Sequence, residues 1–101
     1  MRDLSIVVVC GAGFGSSALL VINIERALKS LGVEAKVEAS GLPTLEAFSP
    51  DIVCCAGIFT ERIRELPGFE KVPIVEVKSF ANVEEIKEKL KGPLRELGYL
   101  K

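Results

Sequence analysis

The 101-residue sequence contains no histidine and no tryptophan. Without an imidazole the chain lacks the commonest general base and a common metal ligand, so the imidazole chemistry of hydrolases and of many metal sites is excluded from it. A histidine that takes part in its chemistry must come from another protein. An excess of charge is missing too: 13 basic and 14 acidic residues leave a formal net charge of -1. No basic run offers an electrostatic footprint for nucleic acid, which is not an expected partner. The cysteines, Cys10, Cys54 and Cys55, make an odd count without Cys-x-x-Cys spacing. That argues against a disulfide framework and against a zinc site, and suits a reducing cytoplasm. An uninterrupted membrane span is also lacking. Residues 4–24 are apolar overall, yet their middle holds three glycines and two serines and their halves differ in periodicity. A span needs ~20 apolar residues in one helix, so direct membrane insertion is not expected.

What is present is a 49% hydrophobic chain, enough for the core of one domain over residues 1–101. Its organising feature is the loop Cys10-Gly11-Ala12-Gly13-Phe14-Gly15-Ser16-Ser17. Upstream, Ile6, Val7, Val8 and Val9 form a short β-branched run that reads as a strand buried on both faces. Downstream, Leu20, Ile24, Ala27, Leu28 and Leu31 recur at helical spacing and end at Gly32, a suitable C-terminal cap.

Next, Val33, Ala35, Val37 and Ala39 alternate with polar residues, the pattern of an edge strand with one wet face. Residues 41–50 hold Pro43, Ser49 and Pro50 and read as a loop with one helical turn. Ile52, Val53, Cys54, Cys55 and Ala56 are continuously apolar and read as a second central strand. An amphipathic segment over 58–66 follows and stops at Pro67-Gly68. Residues 72–77 read as a strand that Glu76 demotes to an edge. Asn82 is the expected N-cap of the last helix, with Glu85 three residues on, and Gly92-Pro93 is expected to break or kink it. The alternation of strands and helices predicts an α/β fold: a four-stranded parallel sheet in the order 2-1-3-4 with helices on both faces. Ligands of such sheets bind at the carboxyl ends of the strands where the order reverses, between the first and third strands, and the Cys10 loop leaves the first strand there.

Glycines at 11, 13 and 15 allow successive backbone N–H groups to converge into an anion-binding nest, and the helix beginning near Ser16 or Ser17 adds its positive end. The same setting favours thiolate at Cys10, giving a nucleophile aimed at phosphorus. The plainer alternative is a small buried thiol ending a strand, with glycines making a tight turn. Cys54 and Cys55 lack the loop setting, point to opposite faces of their strand and are read as structural. A dinucleotide fingerprint can be traced from Gly13 to Ala18, but no clear ribose-binding acid ends the second strand. A Walker loop needs a lysine, and none lies between Asp3 and Arg26. The loop of low-molecular-weight cysteine phosphatases has an arginine where Ser16 stands here. Without that guanidinium fork the loop is better suited to carry a phosphoryl group than to hydrolyse it.

The motif Cys10-Gly-x-Gly-x-Gly-Ser-Ser17 behind a β-branched strand resembles the phosphorylation loop of the IIB components of the bacterial sugar phosphotransferase system. It is most similar to the ascorbate type, with the galactitol and lactose/cellobiose types more distant. Supporting segments are Leu31-Gly32-Val33, Asp51-Ile52-Val53, and Val77-Lys78-Ser79-Phe80 leading into the Asn82 helix. The resemblance implies a cytoplasmic protein phosphocysteine-sugar phosphotransferase of one domain. A IIA phosphohistidine donates to the catalytic Cys10, residues 11–17 hold the phosphate, and a membrane IIC transporter presents the sugar. It implies no cofactor and no metal. In relatives the loop after the third strand tends to carry small hydroxyl residues, whereas Ala56 and Gly57 offer only backbone. A cysteine phosphatase and a non-catalytic anion-binding regulatory module are the remaining alternatives.

Overall fold

Continuous β-branched and apolar runs pair with each other because a strand buried on both faces has only its edges for hydrogen bonding. The computed structural model describes residues 4–9, 16–78 and 81–100. In it β1 (Leu4–Val9), β2 (Ala35–Ser40), β3 (Ile52–Cys55) and β4 (Ile74–Glu76) form a parallel sheet in the order β2-β1-β3-β4. Every pair is parallel, with Ile6 opposite Val37 and Ile52, and Cys54 opposite Val75. The expected order and the edge position of β4 are thus found.

Helices α1 (Ser16–Leu31) and α3 (Val83–Glu96) cover one face of the sheet. Leu4, Ile6, Val8, Ile52 and Cys54 meet Leu20, Ile24, Ile86, Leu90 and Leu94 there. The other face is covered by α2 (Thr60–Arg64) and by a 3₁₀ helix over Leu42–Phe48. Val7, Val9, Val53 and Cys55 pack there against Leu45, Ile63 and Phe69. Each fully buried Leu or Ile contributes on the order of 1.5–3 kcal/mol, so these two layers hold the strand ends in place. α1 stops at Gly32, whose φ of 73° suits a residue without a Cβ. The amides of Gly32 and Val33 close on the carbonyls of Lys29 and Leu28 at 3.1 and 2.9 Å.

Five expectations change. The strand read over 72–77 is only the three residues Ile74–Glu76. The loop over 41–50 carries a seven-residue 3₁₀ helix rather than one turn. The segment over 58–66 divides into a 3₁₀ turn, Gly57–Phe59, and the five-residue α2. β2 begins at Ala35, because Val33 is taken up in closing α1, and Ala39 is exposed at its carboxyl end. α3 runs unbroken through Gly92 and Pro93 to Glu96. Pro93 lies near the helix end and removes only the bond to the Lys89 carbonyl, while the buried stripe Ile86, Leu90, Leu94 anchors both sides of it. The chain instead turns at Gly98, φ 87°, where the Tyr99 amide donates to the Leu94 carbonyl at 2.8 Å.

Candidate functional site

In a parallel sheet all strands end on one edge, and here that edge is a single register row. Ser40, Val9, Cys55 and Glu76 lie side by side across β2, β1, β3 and β4. Val9 is the last described residue of β1, and Cys10 is its successor in the chain. The switch in strand order therefore falls where β1 gives way to the Cys10 loop, with β2 on one side and β3 on the other. Cys10, Gly11, Ala12, Gly13, Phe14 and Gly15 lie outside the described residues. Ser16 and Ser17 are the first two residues of α1, as the motif implied for the helix start.

The helices that leave this edge differ in their first turns. α2 carries Glu61 and α3 carries Glu84 and Glu85, whereas α1 carries no acidic residue. Helix amino ends bear roughly half a positive charge, so α1 presents an end with no acid in its own first turn to offset it. α3 is closed as expected, the Glu85 amide donating to Asn82 Oδ1 at 3.1 Å. The Glu85 carboxylate then accepts from the Lys78 amide at 2.9 Å, fixing the approach to the same edge.

Beside this position stands a polar cluster that sequence reasoning missed. The Thr60 hydroxyl donates to Glu76 Oε1 at 2.7 Å, and lies 4.0 Å from Cys55 Sγ. A Cβ on Gly57 would lie 3.3 Å from Glu76 Oε2, so the bare backbone at 57 makes room for the carboxylate. The loop after β3 thus acquires its hydroxyl from Thr60 rather than from Ala56 or Gly57. On the far side of β1, Ser40 and Thr44 share a 2.7 Å hydroxyl contact. Only the alternation at the end of β2 hinted at Ser40. The meeting of Thr60 with Glu76 depends on strand register and had no local signal.

Cys54 and Cys55 are both fully buried, on opposite faces of β3. Burial pushes the Cys54 thiol far above its ordinary range, and the neighbouring Cys55 adds to the effect. Burial also pushes Cys55 up; the hydrogen bond with Thr60 opposes this and the charge of Glu76 reinforces it. Neither is a nucleophile at neutral pH. Among the described residues, no group of three Cys, Asp or Glu side chains is placed to hold a metal ion. No helix among them is long and apolar enough to cross a membrane. A groove of about 440 Å³ runs beside the cluster, between α2, β4 and α3, lined by Thr60, Arg64, Glu76 and Lys89. A larger one, about 590 Å³, lies at the opposite, amino edge around Leu28, Gly32 and Ala35, away from the cluster.

Comparison with known proteins gives concordant results. The family model described as "PTS system, Lactose/Cellobiose specific IIB subunit" matches residues 5–92. The chain is 34% identical over 91 residues to the ascorbate-specific PTS system EIIB component of Mycoplasma pneumoniae, covering 88% of this chain and 93% of that protein. Among solved structures, it resembles the lactose-specific IIB component domain of the phosphoenolpyruvate:carbohydrate phosphotransferase system from Streptococcus pneumoniae. That likeness has a TM-score of 0.61 at 17% identity, covers 99% of this chain and 100% of that one, and bears on the fold alone.

Proposed function

Because this chain belongs to the lactose/cellobiose-specific IIB subunit family of the sugar phosphotransferase system, we propose that it carries a phosphoryl group on Cys10 between a IIA protein and a IIC transporter. The observation that supports this most is positional. Cys10 follows the end of a central strand at the switch point of the sheet, ahead of a helix whose first turn has no acidic residue. In the proposed relay, residues 11–17 supply backbone N–H groups and the Ser16 and Ser17 hydroxyls to the phosphate.

The Cys10 thiolate attacks the phosphorus of a phosphohistidine. An S–P bond forms as the N–P bond breaks, and the leaving imidazole nitrogen takes the electron pair and then a proton. Onward transfer reverses the role of sulfur: a hydroxyl oxygen of the substrate attacks, the O–P bond forms, the thiolate leaves, and the hydroxyl proton passes to a base or to water. Alignment and charge stabilisation suffice for such transfers. The absence of histidine from the chain agrees with a donor on another protein. Ascorbate is the acceptor proposed first, by extension from the Mycoplasma relative. The relay works on the cytoplasmic side, with the transporter supplying the membrane-embedded part.

The test is incubation with a histidine-phosphorylated IIA protein and site mapping of the label. Label on Cys10 supports the relay. Steady turnover of an aryl phosphate that is lost on alkylation of Cys10 would favour a phosphatase, and phosphate binding without labelling would favour a regulatory module.

A further inference from the structure

An anion site is usually built without nearby acids, yet Glu76 ends β4 in the same register row as Val9. Adjacent strands lie about 4.8 Å apart, so two spacings put the Glu76 backbone about 10 Å from that of Val9. The residue is exposed, but its carboxylate is anchored. It reaches back across the end of β3, where Thr60 donates to Oε1 at 2.7 Å and Gly57 leaves space for Oε2. Its charge is felt at Cys55, the direct neighbour of Val9 in the sheet.

Two nearby cations make their contacts away from the Glu76 carboxylate. The Lys89 ammonium donates to the Glu76 main-chain carbonyl at 2.6 Å and stands 3.8 Å from Glu85. The Arg64 guanidinium donates to the carbonyls of Glu70 and Val72. Among the described residues, the Glu76 carboxylate forms no ion pair.

We propose that Glu76, anchored by Thr60 over Gly57, is an electrostatic control residue of the relay. Its negative charge repels a phosphoryl group on Cys10 and lowers the equilibrium occupancy of the sulfur, so that the group moves on to the acceptor rather than resting. This rests on the relay reading. Glu76 takes no part in bond making, and Thr60 acts through it as a positioning residue.

The experiment equilibrates the full chain with a phosphorylated IIA protein and its dephosphorylated form, and measures the phosphorylated fraction of each by intact-mass spectrometry. Glu76→Gln keeps the acceptor for Thr60 and removes the charge. It raises the occupancy of Cys10 roughly three- to tenfold at about 10 mM ionic strength and only about twofold at about 0.15 M, as Coulomb repulsion screened over the Debye length requires. Thr60→Val leaves the charge but frees it from its anchor, and gives a smaller rise. As a readout independent of the relay, the pH midpoint for iodoacetamide alkylation of Cys10 falls in Glu76→Gln at low salt. Unchanged or lowered occupancy, or a rise of the same size at both salt concentrations, overturns the inference while leaving the relay standing. Failure of the wild-type chain to take any label overturns the relay, and the inference with it.

Discussion

At the scale of the residue, the three cysteines divide by environment rather than by chemistry. Cys54 and Cys55 have no exposed surface, and burial holds both thiols in the protonated form. Iodoacetamide at neutral pH is therefore expected to modify Cys10 alone in the native protein, and all three cysteines in denaturant. Peptide mapping reads the difference, and rapid native modification of Cys54 or Cys55 would contradict the packing described here. The structural role of these two cysteines could be read from the sequence, because a continuous apolar run leaves no polar or solvated setting for a reactive thiol. The pairing of Thr60 with Glu76 could not. Thr60 has the pattern of a polar helix face and Glu76 that of a strand-ending charge, and 16 residues separate the two partners.

At the scale of the element, α3 is the clearest departure from expectation. A Gly-Pro pair in an isolated peptide ends a helix, but here Leu94 is buried as deeply as Ile86 and Leu90, and extends their stripe past the pair. Local propensity favours a break by a few kcal/mol, and burial of the final turn offsets it. Gly92 itself is exposed and has open space beyond its chain neighbours, but it precedes Pro93, whose Cδ disfavours the helical conformation for a preceding residue that carries a Cβ. Gly92→Ala should accordingly give none of the roughly 0.5–1 kcal/mol that alanine usually gains over glycine in a helix, because the new Cβ meets the Pro93 ring. Denaturant titration checks this, and a gain of the full amount would mean that residue 92 is not held in the helical region. The shorter elements were hard to place for a related reason. The 3₁₀ helix over Leu42–Phe48 is fixed by the burial of Leu45 under the sheet, and periodicity in ten residues containing two prolines cannot show that.

At the scale of the whole molecule, strand order and the two-sided core follow from which strands are apolar throughout and which alternate. The same pattern marks the carboxyl edge as the candidate site. The same burial has a consequence for pH dependence. A cysteine in the unfolded chain loses its proton near its ordinary value of 9.0, while the folded thiols at 54 and 55 retain theirs. Above that pH the native state binds more protons than the unfolded state, so stability falls as pH rises. The two thiols contribute fully below about pH 8, and each costs up to roughly 1.4 kcal/mol per pH unit beyond pH 9. Urea titrations at increasing pH should show a shallower decline in Cys54→Ala than in the wild-type chain, even though the variant is less stable at neutral pH. Equal slopes would mean that Cys54 ionises as readily in the folded state as in the unfolded one.

The relay itself unites the strand order, the helix amino end and the missing histidine in one step, the arrival of a phosphoryl group at Cys10. The most direct measurement is site-mapped labelling of the full chain by a histidine-phosphorylated IIA protein. The expected result is a single phosphoryl group on Cys10, lost in Cys10→Ser and retained in Cys54→Ala and Cys55→Ala. Label that persists in Cys10→Ser, or that maps to any other residue, would contradict the account.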